Sequence, residues 1–372
     1  MAPPLCSACA SAPAAALRPA TRTPVCRACF IAQFEEEVHA TIVSASLFAP
    51  GDRVAIGASG GKDSTVLAYV LGELNKRHNY GIELLLLSID EGIAGYRDDS
   101  LMTVVQNETD YNMPLSVVSY KQLYGWSMDE IVKAVGLRNN CTFCGVFRRQ
   151  ALDRGAELLG ATKVATGHNA DDAAETVLLN VTRGDTARLA RCASASTGLS
   201  GDRAAGDEGE VSSLPRVKPL MRTYEKDIVL YARFNRLKYF STECTYAPGA
   251  ARGHVRDFVK NIERLRGDAV MSVVGSAEDM HVVAPKTTAP KLGKCRVCGY
   301  LASRPVCKAC DLLRELDRKL PGRRAESASA PLNNSEAAAA FDARKLVVER
   351  AGNASTACGG GGVCTNEVCN KA

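Results

Sequence analysis

Ten of the fifteen cysteines occur as pairs separated by two residues, a spacing at which two thiolates can point at one ion. Two pairs near the N-terminus read C-x2-C-x16-C-x2-C, and two later pairs read C-x2-C-x8-C-x2-C. These patterns predict two tetrahedral Zn²⁺ sites and a reducing compartment; redox-active or incidental thiols are the alternative. The predicted ligands are Cys6, Cys9, Cys26 and Cys29, and then Cys295, Cys298, Cys307 and Cys310.

The fifth pair, Cys141 and Cys144, has no second pair, and it is the family resemblance given below that joins the distant Cys244 to it. Three thiolates leave one position open, which distinguishes a reactive metal site from a closed structural one. We interpret the set as ligands of an iron–sulfur cluster that keeps one iron free. Two alternatives are a cysteine persulfide with a resolving cysteine and a third zinc site completed by a histidine or an aspartate.

A glycine-rich loop, Ser59-Gly60-Gly61-Lys62-Asp63-Ser64, lies between a predicted strand and a predicted helix. Its glycines let the backbone approach a phosphate, and the first amides of the helix direct partial positive charge at it. The loop is not a Walker A motif, because Asp63 follows the lysine, and it is not Gly-x-Gly-x-x-Gly. An ordinary glycine turn with an exposed lysine is the alternative.

The elements around this loop alternate between strands and helices. Apolar runs predict strands at 53–58, 82–89, 115–119 and 163–166, with helices at 65–74, 101–111, 144–159 and 171–181. This alternation predicts an α/β fold with a Rossmann-like, doubly wound parallel sheet. We expect an N-terminal zinc-binding module at 1–48, this α/β domain at 49–266 with a flexible insertion at about 193–213, a zinc ribbon at 290–320, and a disordered tail at 321–372.

Composition excludes several classes of protein. The chain has 372 residues, with 46 Lys plus Arg against 41 Asp plus Glu, so its net charge is +5. It is too long to be a disulfide miniprotein, and no apolar run approaches the length of a membrane span. Residues 1–34 are acid-free and Ala-rich, as in an organellar transit peptide. Cleavage would discard Cys6 and Cys9, so we expect a retained module in a cytoplasmic protein, with import as the alternative.

A basic stretch at 216–266 points to RNA. It contains twelve Lys or Arg against five Asp or Glu, with interleaved aromatic residues that could stack on bases. The alternative is an amphipathic helix at about 225–238 that places Ile228, Tyr231 and Phe234 in the core. We expect this alternative to hold for most of the aromatic residues, which leaves the arginines as the better RNA candidates.

The motifs together resemble one family. The loop at 59–64 resembles the PP-loop of the ATP pyrophosphatases, which adenylate a substrate by splitting ATP between the α and β phosphates. The segment from Thr166 to Asp172 (TGHNADD), followed by Glu175, resembles the family's second motif. With Cys141-Thr-Phe-Cys144-Gly145, Cys244 and the flanking zinc patterns, the chain resembles the two-thiouridine tRNA thiolases over about residues 5–320.

The resemblance implies a role for each site residue. Ser59, Gly60, Gly61, Lys62, Asp63 and Ser64, with Gly167 and His168 of the second motif, would bind ATP. Asp63 and Asp172 would hold Mg²⁺ or orient the reacting groups, although Asp172 also suits a helix cap. Cys141, Cys144 and Cys244 would bind a [4Fe-4S] cluster and, with the two aspartates, would be catalytic.

The resemblance also implies the reaction and the partners. ATP would activate the C2 oxygen of the wobble uridine, position 34, of cytosolic tRNAs, and sulfur would replace that oxygen. The sulfur would come from a thiocarboxylated ubiquitin-related modifier, and a second subunit would complete the enzyme. Alternatives are cytidine thiolation or amine ligation on tRNA, and a non-catalytic zinc-ribbon scaffold that binds RNA.

Overall fold

The structure is a computed structural model that describes residues 3–137, 139–192, 194–197, 214–242, 244–246, 251–280 and 293–319. The tail at 321–372 and most of the predicted insertion at 193–213 lie outside these residues. Cys358, Cys364 and Cys369 are in that tail. No helix among the described residues is long and apolar enough to cross a membrane.

The N-terminal segment folds as a two-stranded antiparallel hairpin followed by a long helix. Strands β1 (Ala16–Leu17) and β2 (Pro24–Val25) lead into α1 (Arg27–Ser44), whose N-cap is Cys26. Phe30, Phe34 and Val38 recur every four residues on α1 and are completely buried. This apolar stripe is what holds the helix against the rest of the chain.

Six strands form the central sheet, in the order β5-β4-β3-β6-β8-β7. All neighbouring pairs are parallel except β7 with β8. The strands are β3 (Arg53–Gly57), β4 (Glu83–Asp90), β5 (Leu115–Ser119), β6 (Lys163–Ala165), β7 (Ser196–Thr197) and β8 (Arg216–Val217). The predicted α/β sheet is therefore confirmed, while β7 is a short edge strand inside the segment that we expected to be a flexible insertion.

Helices cover both faces of this sheet, because its central strands are apolar on both sides. Val54, Ile56 and Leu86 are completely buried, and each contributes about 1.5–3 kcal/mol of hydrophobic free energy. The helices between the strands are α2 (Lys62–His78), α3 (Arg97–Tyr111), α4 (Tyr120–Tyr124), α5 (Met128–Val135), α6 (Asn140–Leu158), α7 (Ala170–Arg183) and α8 (Thr186–Cys192). Helix α6 begins four residues earlier than predicted, so Cys141 and Cys144 lie in its first turns.

The C-terminal described residues add helices and a small antiparallel hairpin, with one cysteine pair in its turn and another after it. They comprise α9 (Glu225–Phe234), α10 (Ala251–Leu265), α11 (Ala269–Asp279), β9 (Gly293–Lys294), β10 (Leu301–Ala302) and α12 (Lys308–Lys319). The predicted amphipathic helix is confirmed in α9, which ends at Phe234 rather than near 238. Its Tyr231 ring stacks on Phe34 at 4.1 Å between centroids, and α12 packs against α5 and α6.

The connections create a topological switch beside β3. The chain runs from β3 outward to β4 and β5, and then returns to place β6 on the other side of β3. Ligands of open α/β sheets bind in the crevice outside the carboxyl ends of the strands at such a point. The glycine-rich loop follows β3 and the second motif follows β6, so the topology brings both to this crevice.

Candidate active site and metal centres

The glycine-rich loop adopts a conformation that requires glycine at position 60. Gly60 has a φ of +71°, and a Cβ there would lie 2.7 Å from the carbonyl oxygen of Ser100. Ser64 Oγ donates a hydrogen bond to the Gly61 carbonyl at 3.0 Å and accepts one from the Ser59 amide at 3.2 Å. Gly61 is the N-cap of α2 and has no side chain to cap it. The first amides of α2 are therefore oriented for an anion.

The second motif caps α7 and contacts the loop directly. Asn169 is the N-cap, and its side chain accepts from the Asp172 amide at 3.0 Å. Asp172 accepts from the Asn169 amide at 3.3 Å, so Asp172 does serve the helix cap. The Asn169 amide group also donates to Asp63 Oδ1 at 3.1 Å. A Cβ on Gly167 would lie 2.8 Å from the Asp63 carbonyl carbon, so glycine is needed where the two segments meet.

A cavity of about 260 Å³ lies between these segments. Four of the predicted site residues line it: Gly61, Lys62, Asp63 and Asp172. The other predicted residues of the two motifs are not among the lining residues, and Ser59, Gly60, Ser64 and Gly167 shape the loop through the contacts given above. His168 is hydrogen-bonded through Nδ1 to Thr166 Oγ1 at 2.8 Å. The remaining lining residues are Tyr96, Asn169, Asp171, Glu175, Glu225, Tyr239, Phe240, Ser241, Thr242 and Arg256.

Alternating charges connect the loop lysine to the neighbouring helices. Lys62 Nζ lies 3.2 Å from Asp63 and 2.7 Å from Glu225 Oε1. Lys260 Nζ lies 2.7 Å from Glu225 Oε2 and 2.6 Å from Asp171. Burial alone would raise the pKa of Glu225, but hydrogen bonds from Lys260 and Lys62 outweigh it and lower this pKa to about 2. Burial raises the pKa of Asp63. The charge of Lys62 partly offsets this rise, and the charge of Asp172 adds to it.

Two arginines of α10 form ion pairs with acidic residues that line the cavity. Arg252 forms an ion pair with Asp172 at 2.8 Å and a second with Glu175. Arg256 lies 3.0 Å from Glu175. Sequence reasoning missed Glu225, Lys260 and these arginines as site residues, because each is far from both motifs along the chain. The motif itself contained a signal for Glu175, which follows Asp172 by three residues.

Most of the basic residues at 216–266 pair with acidic groups of the fold. Seven of the twelve form ion pairs within the described residues: Arg216, Arg222, Lys226, Arg252, Arg256, Lys260 and Arg266. Arg233, Arg236 and Lys238 are exposed, at the end of α9 and just before the cavity-lining residues 239–242. The candidate RNA surface is therefore narrower than the local charge of the sequence suggested.

The two four-cysteine sets have the geometry of zinc sites. Within each set all four sulfurs lie within 4.8 Å of one another. Individual sulfur–sulfur distances are 4.0 Å for Cys9–Cys26, 3.8 Å for Cys295–Cys310 and 3.7 Å for Cys298–Cys307. A tetrahedron with Zn–S bonds of about 2.3 Å has edges of about 3.8 Å. The sulfurs are too far apart for disulfides, so both sets fit a zinc ion.

The third cysteine set does not form a compact cage like those of the two four-cysteine sets. Cys144 and Cys244 are half-buried and pack against one apolar cluster, whereas Cys141 is exposed in the first turn of α6. The three sulfurs are not all within 4.8 Å of one another. Arg148 lies with Nη2 3.4 Å from Cys144 Sγ and with Nε 2.8 Å from Glu91. Three thiol donors without a fourth, one of them next to Arg148, fit a cluster that keeps one iron accessible.

Comparisons with known proteins agree with this geometry. Residues 31–263 match the PP-loop domain family, and residues 293–322 match a zinc-ribbon family. The chain is 58% identical over 317 residues to cytoplasmic tRNA 2-thiolation protein 1 of Oryza sativa, covering 85% of this chain and 84% of that protein. It is 60% identical over 304 residues to the protein of the same name from Arabidopsis thaliana, covering 82% of each.

A relative from an animal and a solved structure extend the comparison. Cytoplasmic tRNA 2-thiolation protein 1 of Xenopus laevis is 56% identical over 316 residues, covering 85% of this chain and 89% of that one. The solved structure is the U34-tRNA thiolase NcsA from Methanococcus maripaludis with its [4Fe-4S] cluster. It matches with a TM-score of 0.70 and 30% identity, covering 85% of this chain and 96% of that chain.

Proposed function

Because this chain belongs to the PP-loop family of the cytoplasmic tRNA 2-thiolation proteins, we propose that it is an ATP-dependent tRNA-uridine 2-sulfurtransferase of the cytoplasm. The reaction replaces the C2 oxygen of the wobble uridine, position 34, by sulfur and converts ATP to AMP and pyrophosphate. One observation carries this proposal: a single cavity at the topological switch is lined by Lys62 and Asp63 of the loop and by Asp172 of the second motif.

The loop and the start of α2 would hold the phosphates of ATP. The amides after Gly61 direct partial positive charge into the cavity, and Lys62 adds a full charge where pyrophosphate leaves. Asp63 and Asp172 line the same cavity, and Asn169 contacts both of them. Two carboxylates at one phosphate site are a suitable ligand set for Mg²⁺, which offsets their repulsion of ATP.

The cysteines of the third set would bring sulfur to the activated base. We propose that Cys141, Cys144 and Cys244 hold a [4Fe-4S] cluster, which when bound would supply an iron able to carry sulfide. Arg148, 3.4 Å from Cys144 Sγ, would compensate negative charge at that centre. Glu91 orients Arg148 through their ion pair.

The flanking modules, the tRNA contacts and the protein partners complete the proposal. The zinc modules at 1–48 and 290–320 would flank a catalytic domain at 49–266, and the tRNA backbone would contact exposed Arg233, Arg236 and Lys238. The sulfur would come from the thiocarboxylate of a ubiquitin-related modifier, and a second subunit would take part in the complex. Support for the cytoplasmic assignment comes from the names of the relatives.

Nucleoside mass spectrometry tests the proposal most directly. Protein purified anaerobically is incubated with ATP, a sulfide source and unmodified tRNA, and 2-thiouridine, AMP and pyrophosphate are measured. We expect tRNA-dependent AMP and 2-thiouridine at position 34, and we expect Lys62→Ala to abolish both. Lys76→Ala is the matched control, because Lys76 lies on the same helix and is exposed. A thiolated cytidine, or no AMP with reconstituted protein and its partner, would contradict the proposal.

A further inference from the structure

Tyr96 lies where the phosphate cavity meets the cysteine centre. It is half-buried at the start of α3 and lines the cavity with Lys62 and Asp63. It also packs against the apolar cluster that contacts Cys144 and Cys244. Tyr96 is therefore shared between the two centres that the proposed reaction must connect.

A second ring holds Tyr96 in place, and the backbone anchors that ring to the loop. Phe240 meets Tyr96 edge to face, with centroids 5.1 Å apart and planes at 71°. The Phe240 amide donates to the Gly60 carbonyl at 2.7 Å, a backbone bridge between two distant segments. An edge-to-face pair leaves the face of one ring available to a third aromatic group.

The chemistry of the reaction limits where the target base can lie. The C2 carbon of uracil must reach the α-phosphate of ATP when its oxygen is activated, and must then reach sulfur. Among the described residues that line the cavity, the phosphate side is charged, whereas the aromatic side chains are Tyr96, Tyr239 and Phe240. A planar base binds to an aromatic ring by stacking. The adenine of ATP need not approach the cysteines, whereas the target uracil must. The Tyr96 ring, which packs in the same cluster as Cys144 and Cys244, therefore suits the uracil.

We propose that the target uracil stacks on the Tyr96 ring, held by Phe240, while its C2 oxygen is activated. Tyr96 is then a residue that positions the substrate base. This inference rests on the proposed function, since it takes the base of tRNA as the group to be held. The competing possibility is that the adenine of ATP stacks on this ring, and the kinetic measurements distinguish the two.

Binding of a short RNA tests the inference without catalysis. The probe is a synthetic anticodon stem-loop with either uridine or an abasic site at position 34, and the variants are Tyr96→Phe and Tyr96→Leu. Stacking on one ring changes affinity by about tenfold. We expect wild type and Tyr96→Phe to bind the uridine probe about tenfold more tightly than the abasic probe. We expect Tyr96→Leu to bind both probes equally.

Kinetics separate this inference from the proposed function. Tyr96→Leu should lower kcat/KM for tRNA about tenfold and leave the KM for ATP unchanged. Tyr96→Phe, which keeps the ring, should retain the activity of the wild type. Phe258→Leu, at an exposed aromatic outside the cavity, should match wild type. If Tyr96→Leu is unstable by thermal melting, Phe240→Leu replaces it and should lose affinity for uridine in the same direction.

Two results would overturn the inference. One is a Tyr96→Leu variant that still distinguishes the uridine probe from the abasic probe. The other is a rise in its KM for ATP with no change for tRNA, which would place adenine on the ring. A wild-type protein that distinguishes the probes but forms no 2-thiouridine would instead refute the proposed function and leave the stacking site standing.

Discussion

Glu225 should be a major source of stability at the candidate active site. Its two carboxylate oxygens each lie 2.7 Å from a lysine, Lys62 on one side and Lys260 on the other, and its side chain is 25% exposed. The lysines lower its pKa from 4.5 to about 2 despite the cost of burial. Each pKa unit corresponds to about 1.4 kcal/mol. The ionised carboxylate therefore contributes about 3 kcal/mol to folding at neutral pH.

Glu225→Gln removes this contribution, because glutamine resembles the protonated carboxyl in shape and charge. We expect the free energy of unfolding at pH 7 to fall by about 3 kcal/mol, with a lower melting temperature. The contribution is complete above pH 4.5 and is lost as the pH falls toward 2. Acid should therefore diminish the difference between wild type and variant. Thermal and urea unfolding of zinc-loaded protein measure the effect.

A double-mutant cycle and an exposed control make the test specific. Lys260→Gln and the double variant give the coupling energy between Glu225 and Lys260, which we expect to be about 1–3 kcal/mol. Glu73→Gln is the control, since Glu73 pairs with the 74% exposed Lys76 and such pairs contribute less than about 1 kcal/mol. If Glu225→Gln changes stability no more than this control does, the two lysines do not stabilise the carboxylate and the reasoning is wrong.

Three further predictions concern the metal site, the junction of the two motifs and the RNA surface. Cys298→Ser should remove one zinc ion per chain and lower the melting temperature, as metal analysis and calorimetry will show; full zinc retention would contradict the assignment. Gly167→Ala should weaken ATP binding, measured by titration, about tenfold or more, because the added Cβ would displace the Asp63 backbone. Unchanged affinity would mean that the loop can shift without losing ATP. Reversing the charges of Arg233, Arg236 and Lys238 should weaken tRNA binding. The decrease of log K with log salt should become shallower by about 2, and an unchanged salt dependence would place the RNA elsewhere.

Local sequence predicts the positions of the central strands, of most of the helices between them and of the cysteines of the zinc-type sites. The strand at 115–119 was predicted to the residue, because a short apolar run bounded by turn residues has few alternatives. The cysteine pairs specified both zinc-type sites, since two thiols separated by two residues already meet across one turn. The start of α6 was missed, because residues 140–143 (Asn, Cys, Thr and Phe) are too few to show an apolar period, yet they form the first turn of the helix.

Tertiary structure alone decided which distant charges enter the site. The composition of 216–266 suggested a free cationic surface, but Lys260 and Arg252 pair with Asp171 and Glu175 of α7, two buried carboxylates that need partners. Nothing local to Glu225 indicates that it pairs with Lys62, more than 160 residues earlier. Likewise, only the packing places Tyr96 against both the cavity and the cysteine centre.

The sequence by itself therefore determined the fold class, the phosphate-binding loop and the cysteine sets, since each depends on residues that are close along the chain or on a periodic pattern. The fold decided the charge network around Lys62, the contact between Asn169 and Asp63, and the aromatic wall beside the cysteines. These features depend on strand order, which sets β6 next to β3 and brings together side chains whose separation along the chain carries no signal. Burial then selects among them, because a charge removed from water must find an opposite charge.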